Sequence, residues 1–230
     1  MTILAIDIGG SKLKAALLDD AGRQVSERER VETPQPAPPS AVLPLIESLA
    51  RKLPGFEKIS VGFPGSVRDG VVRTAPNLST PDWAGFDLAK RLQERLGKPA
   101  RVLNDASVQG FGAISGTGLE CMITLGTGMG FSLFENGRLG PHFELGQHIA
   151  HKDMTYDQYV GSAALKRVGL EKWQKHVRRA IGQIYTLVEY DTLLIGGGNA
   201  KRLSGPLERN IRIVDNAAGI SGGAKLWAGG

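Results

Sequence analysis

Two stretches of this chain follow one rule. An apolar strand runs into a glycine-rich turn and resumes as a second apolar strand. Residues 3–8 lead through Gly9-Gly10-Ser11-Lys12 into residues 13–18, and residues 121–125 lead through Gly126-Thr127-Gly128 into residues 130–134. Runs this short, closed by glycine, suit strands rather than helices. A turn without Cβ atoms lets backbone N–H groups face an anion, so each hairpin is a candidate phosphate cradle. One such turn in each half predicts two lobes of similar plan with a cleft between them, able to clasp a polyphosphate from both sides.

The rest of the chain fills in an α/β pattern. Residues 24–33 alternate and predict a third antiparallel strand. The run Thr33-Pro34-Gln35-Pro36-Ala37-Pro38-Pro39 cannot hold a ladder and predicts a loop. Ser40 is the expected cap of a helix whose Val42, Leu45, Ile46, Leu49 and Leu53 share one face and which Pro54-Gly55 ends. A strand over 59–63 stops at Pro64-Gly65. A helix over 86–96 has Gly97 as its C-cap, and a strand over 101–103 carries Asn104-Asp105 at its carboxyl end. The second half adds an Asn136-Gly137 hairpin turn and a long helix over 171–189, with Trp173, Val177, Ile181, Ile184 and Val188 inward. It closes with a strand over 192–195 ending in Gly196-Gly197-Gly198, a strand over 211–214 and a terminal helix. The predicted organisation is a first lobe at 1–104, a second at 105–214, and a terminal helix at 215–230 packing back on the first lobe.

Composition narrows the function classes. Glycine accounts for 31 of 230 residues, in keeping with backbone turns that approach a ligand closely. The single cysteine, Cys121, excludes an intramolecular disulfide and a Cys-rich zinc site. No apolar run approaches the roughly 20 residues of a membrane helix, and no leader pattern precedes the first strand. A cytoplasmic location with no membrane partner is therefore expected. The net charge of +5 is concentrated late: residues 166–212 hold ten Lys/Arg against four Asp/Glu. That stretch reads either as a solvated helix face or as an electrostatic approach for a polyanion.

Particular residues can carry chemistry. Asp7, at a strand end before Gly9, Gly10, Ser11 and Lys12, suits a hydrated Mg²⁺, which keeps most of its waters and takes one or two carboxylates. No Walker A loop occurs, and Gly126-Thr127-Gly128-x-Gly130 lacks the dinucleotide fingerprint because a strand, not a helix, follows it. Gly197 and Gly198, with Lys201 shortly after, leave room for a flat base or a phosphate. Asn104-Asp105 lies where α/β folds place ligands. There an aspartate can accept the proton of an attacking hydroxyl, the alternative being an Asn-Asp turn that caps a helix. His142, His148 and His151 cluster in sequence, but their spacing secures no metal geometry.

These pieces, in this order, resemble the ROK group of sugar kinases and sugar-responsive repressors within the actin-like ATPase superfamily, closest to the polyphosphate/ATP-glucokinase branch. The likeness runs through Asp7 to Lys12, Thr33 to Pro38, residues 62–65 and 70–78, 103–106, 124–130, 144–146, 195–201 and 216–223. It implies a two-lobed, ribonuclease H-like α/β fold with a mixed sheet in each lobe. It also implies transfer of a phosphoryl group from ATP or inorganic polyphosphate to a hexose hydroxyl, glucose foremost. Under it Asp7 serves Mg²⁺ and Gly9 to Lys12 form one phosphate loop. Gly126, Thr127 and Gly128 form the other, and Gly197 and Gly198 lie near the donor. Gly65, Asn77, Asn104, Asp105 and Glu144 line the sugar pocket, with Asp105 as base. Family members are commonly homodimers. The zinc motif of many relatives is missing here. No helix-turn-helix precedes Asp7, which favours a kinase over a DNA-binding repressor. One departure stands out: where the family reads Glu-x-Gly-His, this chain reads Glu144-Leu145-Gly146-Gln147-His148. Gln147 keeps hydrogen-bonding capacity, so an altered sugar preference is expected, unless a register slip brings His148 inward. A sugar-binding relative without turnover is the alternative outcome.

Overall fold

The structure, a computed structural model, describes residues 1–215 and 218–228. The chain forms two compact units, Met1–Gly112 with Ala217–Gly230, and Ala113–Asn216.

A five-stranded mixed sheet organises the first unit. Its strands are β1 (Ile3–Ile8), β2 (Lys12–Leu18), β3 (Glu29–Glu32), β4 (Lys58–Phe63) and β5 (Ala100–Asn104), in the order β3-β2-β1-β4-β5. β1 pairs antiparallel with β2 and parallel with β4, and β4 runs parallel to β5. β1 is apolar at nearly every position because both its faces are covered. Leu4, Ile6 and Ile8 share one core with Ile46 and Leu49 of helix α1 (Pro39–Lys52) and with Trp83. Ile3 and Ala5 share another with Ala16, Leu18, Ile220 and Ala224.

The C-terminal segment supplies that second cover. A short helix, Ala218–Ser221, and a 3₁₀ stretch, Gly222–Trp227, stand where one terminal helix was expected. Gly222 and Gly223 explain the change. A Cβ at Gly223 would lie 3.2 Å from the Ala5 Cβ, and one at Gly222 would lie 2.8 Å from the Gly112 nitrogen, so the chain is drawn close to the sheet and to the helix after β5. Ser60 Oγ donates to the Gly223 carbonyl at 2.6 Å, and Trp227 Nε1 donates to Ser60 Oγ at 2.9 Å. Lys58 Nζ and the Arg101 guanidinium lie 4.5 and 4.6 Å from the Trp227 ring centroid, a cation–π arrangement. Asn216, Ala217, Gly229 and Gly230 of the expected terminal helix lie outside the described residues.

Other boundaries also moved for local reasons. The strand expected over 24–33 is confined to Glu29–Glu32, because Ser26 Oγ accepts the Leu17 N–H at 2.9 Å and so replaces a ladder partner. α1 starts at Pro39, one residue before the expected Ser40 cap. Proline at the first helical position lacks the N–H that a side chain would otherwise have to satisfy. The helix expected from 86 is α2 (Leu88–Leu96), begun by Asp87, whose side chain accepts the Lys90 N–H, and ended by Gly97 at φ 66°. Helix α3 (Asp105–Phe111) stays with the first unit, so the division of the chain follows Gly112 rather than Asn104.

The second unit repeats the plan. Strands β6 (Leu119–Leu125), β7 (Met129–Glu135), β8 (Arg138–Leu139), β9 (Thr192–Gly196) and β10 (Ile211–Ile213) are ordered β8-β7-β6-β9-β10, with an antiparallel β6–β7 hairpin and β9 parallel to β6. Three helices follow the hairpin: α4 (Tyr156–Val160), α5 (Ser162–Val168) and α6 (Leu170–Val188). α6 buries Trp173, Val177, Ile181 and Ile184, and Trp173 Nε1 donates to the Val160 carbonyl at 2.7 Å. α4 and α5 were not read from the sequence, although Thr155 and Gln158 form a capping box at the start of α4. Among the described residues no helix is long and apolar enough to cross a membrane.

Cys121 on β6 is inaccessible, and burial pushes its thiol up to about 12. The folded value lies above that of an exposed thiol, so the folded state holds this proton more tightly. The associated stability is complete below about pH 8.5 and is lost as pH rises towards 12. Native protein at pH 8 is expected to leave Cys121 unmodified by an aromatic disulfide reagent, with stoichiometric reaction after guanidinium unfolding. Rapid native labelling would show that β6 opens.

Candidate active site

The hairpin between β1 and β2 is closed by the Gly9 N–H donating to the Lys12 carbonyl at 3.0 Å; a Cβ on Gly9 would sit 2.8 Å from that oxygen. The other three carbonyls of the turn, those of Gly9, Gly10 and Ser11, are engaged by the segment after β3. Thr33 Oγ1 donates to the Gly9 carbonyl at 2.7 Å, Gln35 Nε2 to that of Gly10 at 2.9 Å, and the Thr33 N–H to that of Ser11 at 2.9 Å. The Pro-rich segment thus holds the carbonyls of Gly9, Gly10 and Ser11, while the Gly9 N–H is spent on closing the hairpin. Thr33 and Gln35 had been given no role in holding this turn.

The two lysines near this turn are paired with acids. Lys12 Nζ lies 3.0 Å from Glu32 across the β2–β3 ladder, with both side chains largely exposed. Lys14 Nζ donates to Asp7 Oδ2 at 2.9 Å, and the two face each other in the β1–β2 register. Lys14 was not singled out from the sequence. The Asp7–Lys14 register is its signal, visible once the hairpin is aligned.

Asn104 and Asp105 stand where β5 gives way to α3. Asn104 does two things: Oδ1 accepts the Ser107 N–H at 3.2 Å, capping α3, and Nδ2 donates to the Gly65 carbonyl at 3.1 Å. One side chain thus caps α3 and ties the end of β5 to Gly65. Asp105 is half-buried, with Oδ1 accepting the Ala106 N–H at 2.8 Å. Its placement depends on Gly62 of β4, where a Cβ would lie 3.4 Å from the Asp105 Cα. Gly65 is packed more tightly still, since its Cβ would lie 2.9 Å from the Thr74 carbonyl carbon. Asn77 is half-buried in the turn closed by the Leu78 N–H on the Ala75 carbonyl at 3.0 Å.

In the second unit the Gly126–Gly128 turn is held in the same manner. Ser162, the first residue of α5, donates through Oγ to the Gly126 carbonyl at 2.7 Å and through N–H to the Gly126 and Thr127 carbonyls at 2.9 and 3.2 Å. Asn199 Nδ2 reaches Ser162 Oγ at 2.9 Å and the Gly126 carbonyl at 3.3 Å. Thr127 at the tip is exposed. The glycines near this turn divide by role. Gly197, at φ 85°, is required by packing, since its Cβ would lie 2.5 Å from the Leu125 nitrogen. A Cβ at Gly126 or Gly198 would meet nothing within 4 Å, so both open onto free space. Lys201 is exposed in the 3₁₀ turn Ala200–Arg202.

Glu144, Gly146 and Gln147 surround a 3₁₀ turn, Leu145–Gln147, that lies against β7. A Cβ at Gly146 would sit 2.5 Å from both the Met129 carbonyl oxygen and Asp157 Oδ1. Glu144 Oε1 pairs with His142 Nε2 at 2.7 Å. Gln147 Nε2 donates to Asp157 Oδ2 at 2.7 Å, while His148 is exposed and its carbonyl takes the Tyr156 N–H at 2.9 Å. Gln147, not His148, is therefore the side chain engaged there. Asp157 was missed from the sequence. Burial holds its carboxyl above the usual range, with Glu144 adding to that, while the Met129 N–H and the Gln147 amide act in the opposite sense.

A model of the ROK family matches residues 3–156, about two thirds of the chain. The chain belongs to the ROK family. Polyphosphate glucokinases of Mycobacterium leprae and of Mycobacterium tuberculosis (strain CDC 1551 / Oshkosh) are each 32% identical to it over 236 residues, spanning 95% of this chain and 72% and 88% of theirs. The polyphosphate/ATP-glucomannokinase of Arthrobacter sp. strain KM superposes with a TM-score of 0.87 at 30% identity over 98% of both chains. A ROK glucokinase from Streptomyces griseus, solved with glucose and AMPPNP, gives 0.80 at 21% identity, covering 98% of this chain and 99% of its own. The fold is the actin-like ATPase fold of ROK sugar kinases.

Because Gly198 opens onto free space, Gly198→Val separates ligand binding from folding. The variant is expected to melt within about 2 °C of wild type and to bind ATP or polyphosphate at least about tenfold more weakly by calorimetry. Unchanged donor binding would remove this glycine from the donor site.

Proposed function

We propose that this ROK protein is a hexokinase-type phosphotransferase that moves a phosphoryl group from inorganic polyphosphate or ATP to a hexose hydroxyl, converting glucose to glucose 6-phosphate. The observation that carries the reading is Asp105, held half-buried at the carboxyl end of β5 beside the doubly bonded Asn104. The names of the relatives, polyphosphate glucokinase and polyphosphate/ATP-glucomannokinase, support the donor and the acceptor class.

The chemistry follows from these positions. Asp105 takes the proton of the attacking sugar hydroxyl as its oxygen bonds to the terminal phosphorus, while the bond to the remaining polyphosphate or ADP breaks. Asn104, Gly65, Asn77, Glu144 and Gln147 hold the sugar through its other hydroxyls. The glycine turns at Gly9 to Lys12 and at Gly126 to Gly128 orient the donor phosphates, with Gly197, Gly198 and Lys201 near its far end. Positioning supplies most of the rate in such a transfer.

Asp7 fits a role towards Mg²⁺. Its carboxylate is part-exposed beside a glycine turn and already draws the Lys14 ammonium to 2.9 Å. Among the described residues no three His, Cys, Asp or Glu side chains gather, so the ion would be held by this single carboxylate, waters and the donor phosphates. When bound, Mg²⁺ neutralises charge on the donor oxygens. A homodimer is part of the same proposal, by analogy with the family.

Gln147 favours a second reading within this class, a kinase whose preferred hexose is not glucose, mannose among the alternatives. A turnover matrix of glucose, mannose, fructose and N-acetylglucosamine, each with Mg²⁺-ATP and Mg²⁺-polyphosphate, decides donor and acceptor together. Asp105→Asn is expected to lower kcat about 10²–10⁴-fold while sugar affinity stays within about threefold, since an amide still hydrogen-bonds to the sugar. Equal losses in binding and turnover would make Asp105 a positioning group. A blank matrix from folded, sugar-binding protein would leave a sugar-binding relative without turnover.

A further inference from the structure

Asp157 has no part in the machinery just described, yet its carboxylate touches two pieces of it. Oδ1 accepts the Met129 N–H at 2.6 Å, immediately after the Gly126–Gly128 turn, and Oδ2 accepts from Gln147 Nε2 at 2.7 Å. The residues around it leave no slack. A Cβ on Gly128 would lie 2.5 Å from the Asp157 carboxyl carbon, and one on Gly146 would lie 2.5 Å from Oδ1. Asp157 itself stands in the first turn of α4, where the Thr155–Gln158 capping box fixes the backbone.

We infer that Asp157 is the positioning residue that couples donor and sugar recognition in the second unit, by clamping the Gly126–Met129 turn to the Gln147 side chain and setting which way the Gln147 amide faces. The inference rests on the kinase reading for its link to substrates, and on geometry alone for the clamp. An ionised carboxylate only accepts hydrogen bonds, so the Gln147 NH₂ must face Asp157 and its carbonyl Oε1 must face away. A glutamine side chain is otherwise free to turn over, and Gln147 is exposed. The clamp thus gives a flexible residue one fixed pattern: an acceptor, Oε1, offered to a sugar hydroxyl that donates. It joins in one carboxylate two loops 18 positions apart in the chain (Met129 to Gln147).

Three variants separate the two halves of the clamp. Asp157→Asn keeps an oxygen for the Met129 N–H but presents NH₂ to Gln147, so the Gln147 amide must turn over. Asp157→Ala loses both contacts. Asp157→Asn with Gln147→Glu restores a donor–acceptor pair with an acceptor facing outward. For Asp157→Asn we expect the sugar KM to rise about tenfold, equivalent to one lost discriminating hydrogen bond, with the donor KM within twofold. For Asp157→Ala both KM values rise and amide exchange at Met129 accelerates at least tenfold. In the double variant the sugar KM returns to within about threefold of wild type, a rescue that general destabilisation does not produce.

Two results would overturn the proposal: Met129 exchange unchanged in Asp157→Ala, or a double variant no better than Asp157→Asn. If wild-type protein turns over no sugar, the kinase reading fails. The clamp is then decided by Met129 exchange in Asp157→Ala and by recovery of calorimetric sugar affinity in the double variant.

Discussion

A glycine turn can offer its N–H groups to a phosphate only if something else takes its carbonyls. Left free, those carbonyls would repel the anion or let the turn rotate. In both turns of this protein the carbonyls are taken by residues far away in sequence, through side chains and, at Ser11 and Thr127, through backbone N–H groups. Thr33 and Gln35 hold Gly9, Gly10 and Ser11, while Ser162 and Asn199 hold Gly126 and Thr127. Each such bond is modest by itself, about 1 kcal/mol net. Their value lies in direction, since a preorganised amide edge costs no rearrangement when charge arrives.

Close backbone approach is the second organising device, and it explains glycines that phosphate binding does not. Gly62 lets α3 begin directly over β4, which sets the Asp105 backbone. Gly222 and Gly223 let the C-terminal segment lie against α3 and against Ala5 of β1. Gly146 and Gly128 admit the Asp157 carboxylate between two loops. Gly197 passes the Leu125 backbone in a left-handed conformation. Against these, Gly126 and Gly198 have no protein neighbour that needs them to be small. The same residue type is thus demanded by packing at some positions and not at others, and only the surroundings tell the two apart.

Much of the fold was readable because its signals are local. The apolar runs of β1, β6 and β9 are those of strands buried on both faces. The 3.6-residue stripe of α6 ran from Trp173 to Ile184 as expected, and Gly97 ended α2 in the predicted left-handed conformation. Errors arose where a single neighbouring residue changed the outcome: Ser26 shortening β3, Asp87 delaying α2, Pro39 replacing Ser40 at the start of α1. α4 and α5 escaped notice because they are five and seven residues long, too short for a periodic stripe to stand out.

The sequence by itself determined the strand–turn–strand units, the carboxyl-end position of Asn104-Asp105, the impossibility of an intramolecular disulfide, and, through a series of segments in order, the family. These depend on neighbours a few residues apart, where backbone period and turn chemistry act. Only the tertiary structure decided which side chains hold the turns open, that Lys14 rather than Lys12 faces Asp7, and that Asp157 meets both Met129 and Gln147. Those contacts join residues that chain folding alone brings within 3 Å. A hydrogen bond depends on the last few tenths of an ångström and on direction, which no local pattern of residues encodes.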